Sequence, residues 1–329
     1  MSLLLITLSG MVLIVLSADY FTNGIEWVGF RLHLDEGAVG SLLAALGTAL
    51  PETLVPVIAI LFGQGTSENS IGLGAILGAP FMLSTVGFLV IGAGLLWAGR
   101  QSLTVENGSH MTADLAFFLV AFGLAIVASL LPGPWHPYLA VGLLGLYAFH
   151  AVALVKGGGE AKGPASHPSQ GLRLSTRPDP PLWLALLQVV LALLGLIIGA
   201  HFFVTALDGM TGIIHLSAFL LAVIVTPVAT ELPEVLNSVI WIRRHKDTLA
   251  VGNVTGAMAF QSSVVPALGI GLTPWHLDAL ELLTGIVTWL AALWIWLRSR
   301  QGPLMVSELI AAGLFYVLYI GMVIAMTAR

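Results

Sequence analysis

The chain has 329 residues, of which 57% are apolar and only 9% are charged, and its formal net charge is −5. Because soluble domains carry about 25% charged residues, this composition excludes an ordinary soluble protein. The chain has no cysteine, which excludes disulfides, thiolate metal sites and thiol nucleophiles.

Apolar stretches long enough to cross a bilayer recur along the chain. No strand-like alternation appears, and backbone groups in lipid must be hydrogen-bonded within the segment, so we predict an all-α polytopic membrane protein. Hydropathy and turn residues predict ten transmembrane helices, at residues 3–29, 37–62, 70–98, 111–131, 137–155, 181–207, 216–241, 248–271, 277–298 and 304–327.

The basic residues predict how these helices are oriented. Apart from Arg329, all of them lie in or beside the connections after the odd-numbered spans: Arg31, Arg100, Lys156, Lys162, Arg173, Arg177, Arg243, Arg244, Lys246, Arg298 and Arg300. By the positive-inside rule these connections are cytoplasmic and both termini lie outside. We expect an integral protein of a prokaryotic plasma membrane, surrounded by lipid.

The chain divides into two similar halves. A stretch rich in Gly, Pro and Ser, residues 156–180, has the composition of a flexible cytoplasmic linker between residues 1–155 and 181–329. The offset that places "LPE" at 50–52 over "LPE" at 232–234 also places "SADYF", 17–21, over "GAHFF", 199–203. Since each half has five helices, an odd number, the halves form inverted repeats, which are typical of secondary transporters.

Each half carries a Pro-Glu motif inside an apolar span, "GTALPET" at 47–53 and "ATELPEV" at 229–235. Pro51 and Pro233 each remove a backbone donor and should break or kink their helices. The motifs supply oxygen-bearing side chains on one helical face of each span: Thr48 and Glu52, and Thr230 and Glu234. Carboxylates, hydroxyls and freed carbonyls form an all-oxygen site of the kind that Ca²⁺ prefers.

These motifs resemble a known family. "GTALPE" and "ATELPE", each followed by a G-x-x-x-G-[AS] helix, are similar to the two alpha repeats of the cation/Ca²⁺ antiporter superfamily, which read G-T-S-L-P-E and then G-N-x-x-G-S-N. The resemblance implies a ten-helix fold in which the motif glutamates bind Ca²⁺ and nearby hydroxyls and amides bind Na⁺. It thereby adds Asn253 and Gln261 to Thr48, Glu52, Thr230 and Glu234 as expected ion ligands.

The chain departs from the family pattern at several positions that would bind Na⁺. The motif serine is Ala49 in the first half and Glu231 in the second. The final asparagine is replaced by Pro80 and Met258, and Leu83 stands at a further ligand position. Glu231 is a seventh candidate ligand, and three carboxylates crowded at the midplane should not all stay ionised, as a proton-coupled site requires.

Other interpretations remain open. Glu231 could instead face a neighbouring helix as a neutral acid, and His150, near a span end, is expected to face headgroups. The leading prediction is a secondary antiporter that exchanges a divalent cation, Ca²⁺ above all, for Na⁺ or H⁺. The alternatives are a passive cation channel, an antiporter for Mg²⁺, Mn²⁺ or K⁺, and an intramembrane enzyme, for which no catalytic constellation is found. Beyond the transported ions we expect no cofactor and no nucleic-acid partner.

Overall fold

The computed structural model describes residues 2–32, 44–63, 66–105, 109–157, 168, 170–214 and 216–327. Side chains are described for all of these except 44–48, 66, 109, 155–157, 214 and 327. The described residues are almost entirely helical and include no strand; an isolated bridge joins Ser102 to Met305.

The helices follow one another in chain order. They are α1 Ser2–Arg31, α2 Ala44–Phe62, α3 Thr66–Met82, α4 Phe88–Trp97, α5 Ser109–Ala128, α6 His136–Gly157, α7 Leu182–Ile214, α8 Ala218–Thr230, α9 Leu232–Arg243, α10 Asp247–Gln261, α11 Val264–Leu272, α12 Ala279–Ser299 and α13 Val306–Thr327. A π-helical turn, Leu83–Gly87, joins α3 to α4, and a 3₁₀ turn, Gly133–Trp135, precedes α6.

The helices confirm the prediction of an all-helical membrane protein. Within the described residues, eight continuous helical segments are long and apolar enough to cross a bilayer, and α8 with α9 forms a ninth that is bent by 50°. The predicted span 37–62 corresponds to α2, which is described from Ala44 onward. Each of the ten predicted spans therefore coincides with a helix or a pair of successive helices.

The two Pro-Glu motifs differ in local structure. Glu231 separates α8 from α9, and Pro233 lies in the first turn of α9, where its missing N–H leaves a carbonyl of α8 without its usual donor. In the first motif α2 continues through Pro51, so the predicted break or kink is not a break there. The side chain of Glu231 accepts hydrogen bonds from Thr230 and Gln261 at the break. The corresponding first-half residue is Ala49, whose side chain cannot make such contacts.

Close approaches between helices bring the two halves of the chain together. α1 and α7 pack side by side, and a Cβ added to Gly10 would lie 3.0 Å from the main-chain nitrogen of Phe203. Likewise α3 packs on α8, where a Cβ added to Gly78 would lie 2.9 Å from the Val223 carbonyl oxygen. Because both glycines meet backbone across the contact, no larger residue fits there without moving the helices.

The end of the predicted linker packs against α1. Trp27 donates from Nε1 to the Gln170 carbonyl at 3.0 Å, and Asn23 donates to the Gly171 carbonyl at 3.3 Å. Leu172 is buried against Trp27, and Arg173 pairs with Asp19 at 3.1 Å. Residues 170–174, here called the strap, are thus bound to α1 and are not a free chain. Most of the remaining linker, residues 158–167 and 169, lies outside the described residues.

Gln188 of α7 holds the strap from the other side. Its side chain is fully buried, its Nε2 donates to the Tyr20 carbonyl at 2.8 Å and to Asn23 Oδ1 at 2.9 Å, and its Oε1 accepts from the Leu174 N–H at 2.9 Å. The amide therefore joins α1, α7 and the strap in one hydrogen-bonded network.

Gln188→Leu should loosen the strap without removing any ion ligand. Leucine keeps the size of the side chain but leaves buried polar partners unsatisfied, at a cost of about 1–3 kcal/mol. We expect trypsin to cleave the full-length protein after Arg173 about 5-fold faster or more, since one kcal/mol changes an opening equilibrium by roughly that factor. Gln170→Leu is the matched control, because Gln170 contributes its main-chain carbonyl and its side chain is exposed. Equal cleavage rates in wild type and Gln188→Leu would contradict this assignment.

Candidate cation-binding site

Three glutamates from different parts of the sequence meet inside the helix bundle. Glu52, Glu231 and Glu234 each offer a carboxylate oxygen, and these oxygens all lie within 4.8 Å of one another. The three residues are only 5%, 0% and 6% exposed. We call them the glutamate triad. It combines the acids of both Pro-Glu motifs with the glutamate that replaces the motif serine.

The helices explain how the triad is assembled. Glu52 lies within α2, Glu231 occupies the break between α8 and α9, and Glu234 lies in the first turn of α9. Glu231 and Glu234 are three residues apart, so their side chains leave the chain on nearly the same side. The first turn of a helix is its positive end, which favours negative charge at Glu234.

Hydrogen bonds fix the carboxylate of Glu231. The Thr230 hydroxyl donates to its Oε1 and the Gln261 amide donates to its Oε2, both at 2.8 Å. Glu231 is therefore directed into the site by a residue of α8 and by the last residue of α10. Glu231 thus contacts a neighbouring helix through Gln261, as the alternative interpretation expected, and also lies beside the other two glutamates.

Several buried oxygens in the site lack a protein partner. Within the described part of the chain, Glu52 Oε2, Glu234 Oε2, Gln261 Oε1 and Thr226 Oγ1 are buried without a hydrogen bond. Buried acceptors normally have a donor, because leaving one unsatisfied costs free energy. Carboxylate and amide oxygens of this kind are the type of ligand that a hard cation binds.

The remaining predicted ligands differ in their positions. Thr230 and Gln261 contact the triad through Glu231. Asn253 contacts the site indirectly, because its amide donates to the main-chain carbonyl of Glu234 at 3.0 Å. Thr48 belongs to α2, but its side chain lies outside the described residues.

One polar residue near the site was missed by the sequence analysis. Thr226 is 2% exposed and lies one helical turn before Thr230 on α8, so both hydroxyls share a face. The spacing of four residues from Thr230 was a signal that could have found it. Its hydroxyl oxygen is buried without a hydrogen bond, on the same face of α8 as Thr230.

The sequence of the chain matches a known protein family. The sequence model of a family described as "Sodium/calcium exchanger protein" matches residues 2–156 and 184–328, which is nearly the whole chain. The chain belongs to the sodium/calcium exchanger family. The matched region is interrupted between residues 156 and 184. This is a family of membrane transporters, and the cations that they transport are the expected partners of this chain.

Individual relatives in this family are distant. The chain is 26% identical over 295 residues to a protein named "Putative antiporter CaxA" from Alkalimonas amylolytica, an alignment that covers 83% of this chain and 81% of the relative. It is 31% identical over 87 residues to "Sodium/calcium exchanger MaX1" from Methanosarcina acetivorans, which covers 24% of this chain and 25% of the relative.

Solved exchanger structures share the fold. A crystal structure of the H⁺/Ca²⁺ exchanger CAX superposes with a TM-score of 0.75 at 18% sequence identity, covering 97% of this chain and 82% of that one. A structure of the sodium-calcium exchanger NCX_Mj gives a TM-score of 0.57 at 20% identity, covering 97% and 98% of the two chains. Because these structures are at most 20% identical to the chain, the comparison shows its fold and nothing further.

Proposed function

We propose that this protein is a secondary antiporter that exchanges Ca²⁺ for H⁺ across the membrane. The observation that carries the proposal is the glutamate triad, in which three buried carboxylate oxygens lie within 4.8 Å of one another. Three like charges at this separation repel strongly in a medium of low dielectric constant. The triad therefore binds either protons or a cation, and a divalent cation balances its charge best.

Competition for the same oxygens supplies the exchange. A carboxylate that carries a proton cannot also bind Ca²⁺ with that oxygen, so binding the cation expels a proton and releasing it takes one up. When the two events occur from opposite sides of the membrane, the movement of one ion drives the other. Glu231 is the extra proton acceptor that distinguishes this site from the usual family motif.

Apolar residues at other family positions favour H⁺ over Na⁺ as the coupling ion. Met258 and Leu83 are fully buried and offer no hard oxygen ligand, and Ala49 replaces the motif serine. Na⁺ needs oxygen ligands that these side chains do not supply. Na⁺ nevertheless remains the second candidate, because the family and one of its named relatives are sodium/calcium exchangers.

The bent helix pair is the element we expect to move during transport. Glu231 lies at the 50° break between α8 and α9. We therefore expect the angle between these two helices to change when Glu231 exchanges a proton for a cation. We place both termini outside and the connection 156–180 in the cytoplasm of a prokaryotic plasma membrane, on the strength of the basic residues beside the odd-numbered connections.

Transport by reconstituted protein tests the proposal. Proteoliposomes with equal Ca²⁺ on both sides should accumulate Ca²⁺ when their interior is made acidic, and should not do so when no H⁺ gradient is imposed. Accumulation driven only by a Na⁺ gradient would make Na⁺ the coupling ion. Ca²⁺ flux that merely equilibrates under every gradient would identify a channel and contradict antiport. Competition with Mg²⁺, Mn²⁺ and K⁺ in the same assay identifies the preferred cation.

A further inference from the structure

A second group of titratable side chains is buried outside the glutamate triad. Asp114 of α5 is 5% exposed, and both of its carboxylate oxygens have partners. Nε2 of His150 on α6 lies 3.0 Å from Oδ1, and the Thr255 hydroxyl of α10 donates to Oδ2 at 2.8 Å. The expectation that His150 faces lipid headgroups is therefore wrong, because its ring turns inward to this carboxylate.

Aromatic rings pack beside His150. The imidazole of His150 stacks on Phe117, with ring centroids 4.2 Å apart and planes inclined by 19°, and Tyr147 meets the edge of Phe117 at 6.4 Å. A carboxylate in such surroundings is costly unless it is paired, and an acid and a base buried together in transmembrane helices usually serve a function.

We propose that Asp114 and His150 form a second proton-binding site whose charge is linked to cation binding at the glutamate triad. With a proton bound, the pair is an imidazolium beside a carboxylate and has no net charge. After the proton leaves to water, a neutral imidazole faces the carboxylate and the net charge is −1. The inference rests on the proposed function, because it concerns how pH regulates that same cation site.

Helix α10 connects the two sites. Thr255, which holds Asp114, lies six residues before Gln261, a separation of about 9 Å along the helix axis. Gln261 in turn donates to Glu231. Because α10 packs against α5 and α9, one helix contacts both the Asp114–His150 pair and the elements that carry the triad.

Other ionisable groups near the pair are few. The helices packed against α5 and α6 are α10, α11 and α12, and of these α11 has no titratable residue. Asp247 of α10 is paired with Arg100 at the start of that helix, two turns from Thr255. The remaining titratable or charged side chains on these described helices are His110 on α5, His136, Tyr138 and Tyr147 on α6, and Glu281 and Arg298 on α12. Lys156 of α6 has a side chain outside the described set.

The sign of the link follows from charge. Loss of the proton makes the pair more negative, which favours a divalent cation inside the same bundle. Ca²⁺ binding must then favour proton release from the pair by the same factor, because coupling between two binding events is reciprocal. The pair should therefore weaken Ca²⁺ binding at acidic pH, in addition to the effect of the triad itself.

His150→Gln tests the inference through the pH profile. Glutamine keeps a hydrogen-bond donor for Asp114 but takes up no proton, so the side chain at position 150 no longer changes its charge with pH. Between about pH 5 and 8, the range in which histidine titrates, the KM for Ca²⁺ transport should rise less steeply on acidification than in wild type. The difference at the acidic end should be about 5-fold, at the lower end of typical couplings. His201→Gln is the matched control, because His201 lies exposed on α7.

Each outcome of this experiment is decisive. If wild type and His150→Gln transport Ca²⁺ with the same pH dependence, the inference is overturned while the proposed antiport stands. If wild type transports no Ca²⁺ at all, the proposed function fails instead. If His150→Gln does not fold, ¹⁵N NMR of the histidine rings in the intact wild-type protein decides. A His150 ring that titrates between about pH 5 and 8, at a midpoint moved to lower pH by Ca²⁺, supports the site. A ring that does not titrate there, or a midpoint that Ca²⁺ leaves unchanged, overturns it.

Discussion

Glu52→Gln and Glu234→Gln should each abolish Ca²⁺ transport while leaving the protein folded. Glutamine has the shape of glutamate but lacks the charge that offsets dehydration of the cation. Both residues have a buried oxygen with no protein partner, and each is directed into the triad. We expect the rate at limiting Ca²⁺ to fall by about 100-fold or more, which corresponds to roughly 2.8 kcal/mol.

Stability provides the control for these variants. A buried glutamine, unlike a carboxylate, carries no charge that a proton or a cation must neutralise, so the unfolding temperature in detergent should be no lower than that of wild type. Glu68→Gln, in the first turn of α3 and outside the triad, should transport normally. Near-normal Ca²⁺ transport by either triad variant, in folded and monodisperse form, would remove that residue from the site.

Glu231→Ser should make Ca²⁺ transport less dependent on pH. In wild type, Ca²⁺ binding displaces protons from the triad, so the apparent Ca²⁺ affinity rises with pH and falls on acidification. Each displaced proton contributes up to about tenfold per pH unit, because linkage gives one unit of slope for each proton. Without Glu231 we expect the slope of log KM against pH to decrease by about one unit.

Two comparisons separate the proton role of Glu231 from its contacts. Glu231→Gln removes the acid but keeps a side chain that can accept from Thr230, and it should show the same reduced slope as Glu231→Ser. Serine also restores the residue of the family motif, so any gain in Na⁺-driven transport should be confined to Glu231→Ser. An unchanged pH profile and counter-ion requirement in both variants would show that Glu231 exchanges no proton.

Much of the fold and part of the site could be predicted from the sequence because the signals are local. Helices that cross a bilayer must be long and apolar, so hydropathy and turn residues placed each predicted span on a helix or a pair of successive helices. The triad followed from two similar motifs and one conspicuous substitution, Glu231. The spans are recognised from residues close together in the chain, and the triad from the similarity of the two halves. Neither prediction requires knowledge of how the helices pack.

The remaining features depend on packing between distant helices. The sequence analysis did not single out Asp114. Its partners His150 and Thr255 lie on other helices, and one sequence does not show which faces meet. The strap was hidden for a similar reason. Residues 170–174 lie in a segment with the composition of a flexible linker. They are held in place by hydrogen bonds from main-chain N–H groups of the strap to the side chains of Asn23 and Gln188.

The most direct test of the central claim is the location of a transported divalent cation in the protein. Crystals grown with Mn²⁺ or Ca²⁺ should show anomalous density between α2 and the break separating α8 from α9, with oxygens of Glu52, Glu231 and Glu234 among its ligands. For Ca²⁺ the metal–oxygen distances should be about 2.3–2.6 Å. Density bound elsewhere, with the three carboxylates at the triad lacking a cation at saturating Ca²⁺, would contradict the assignment.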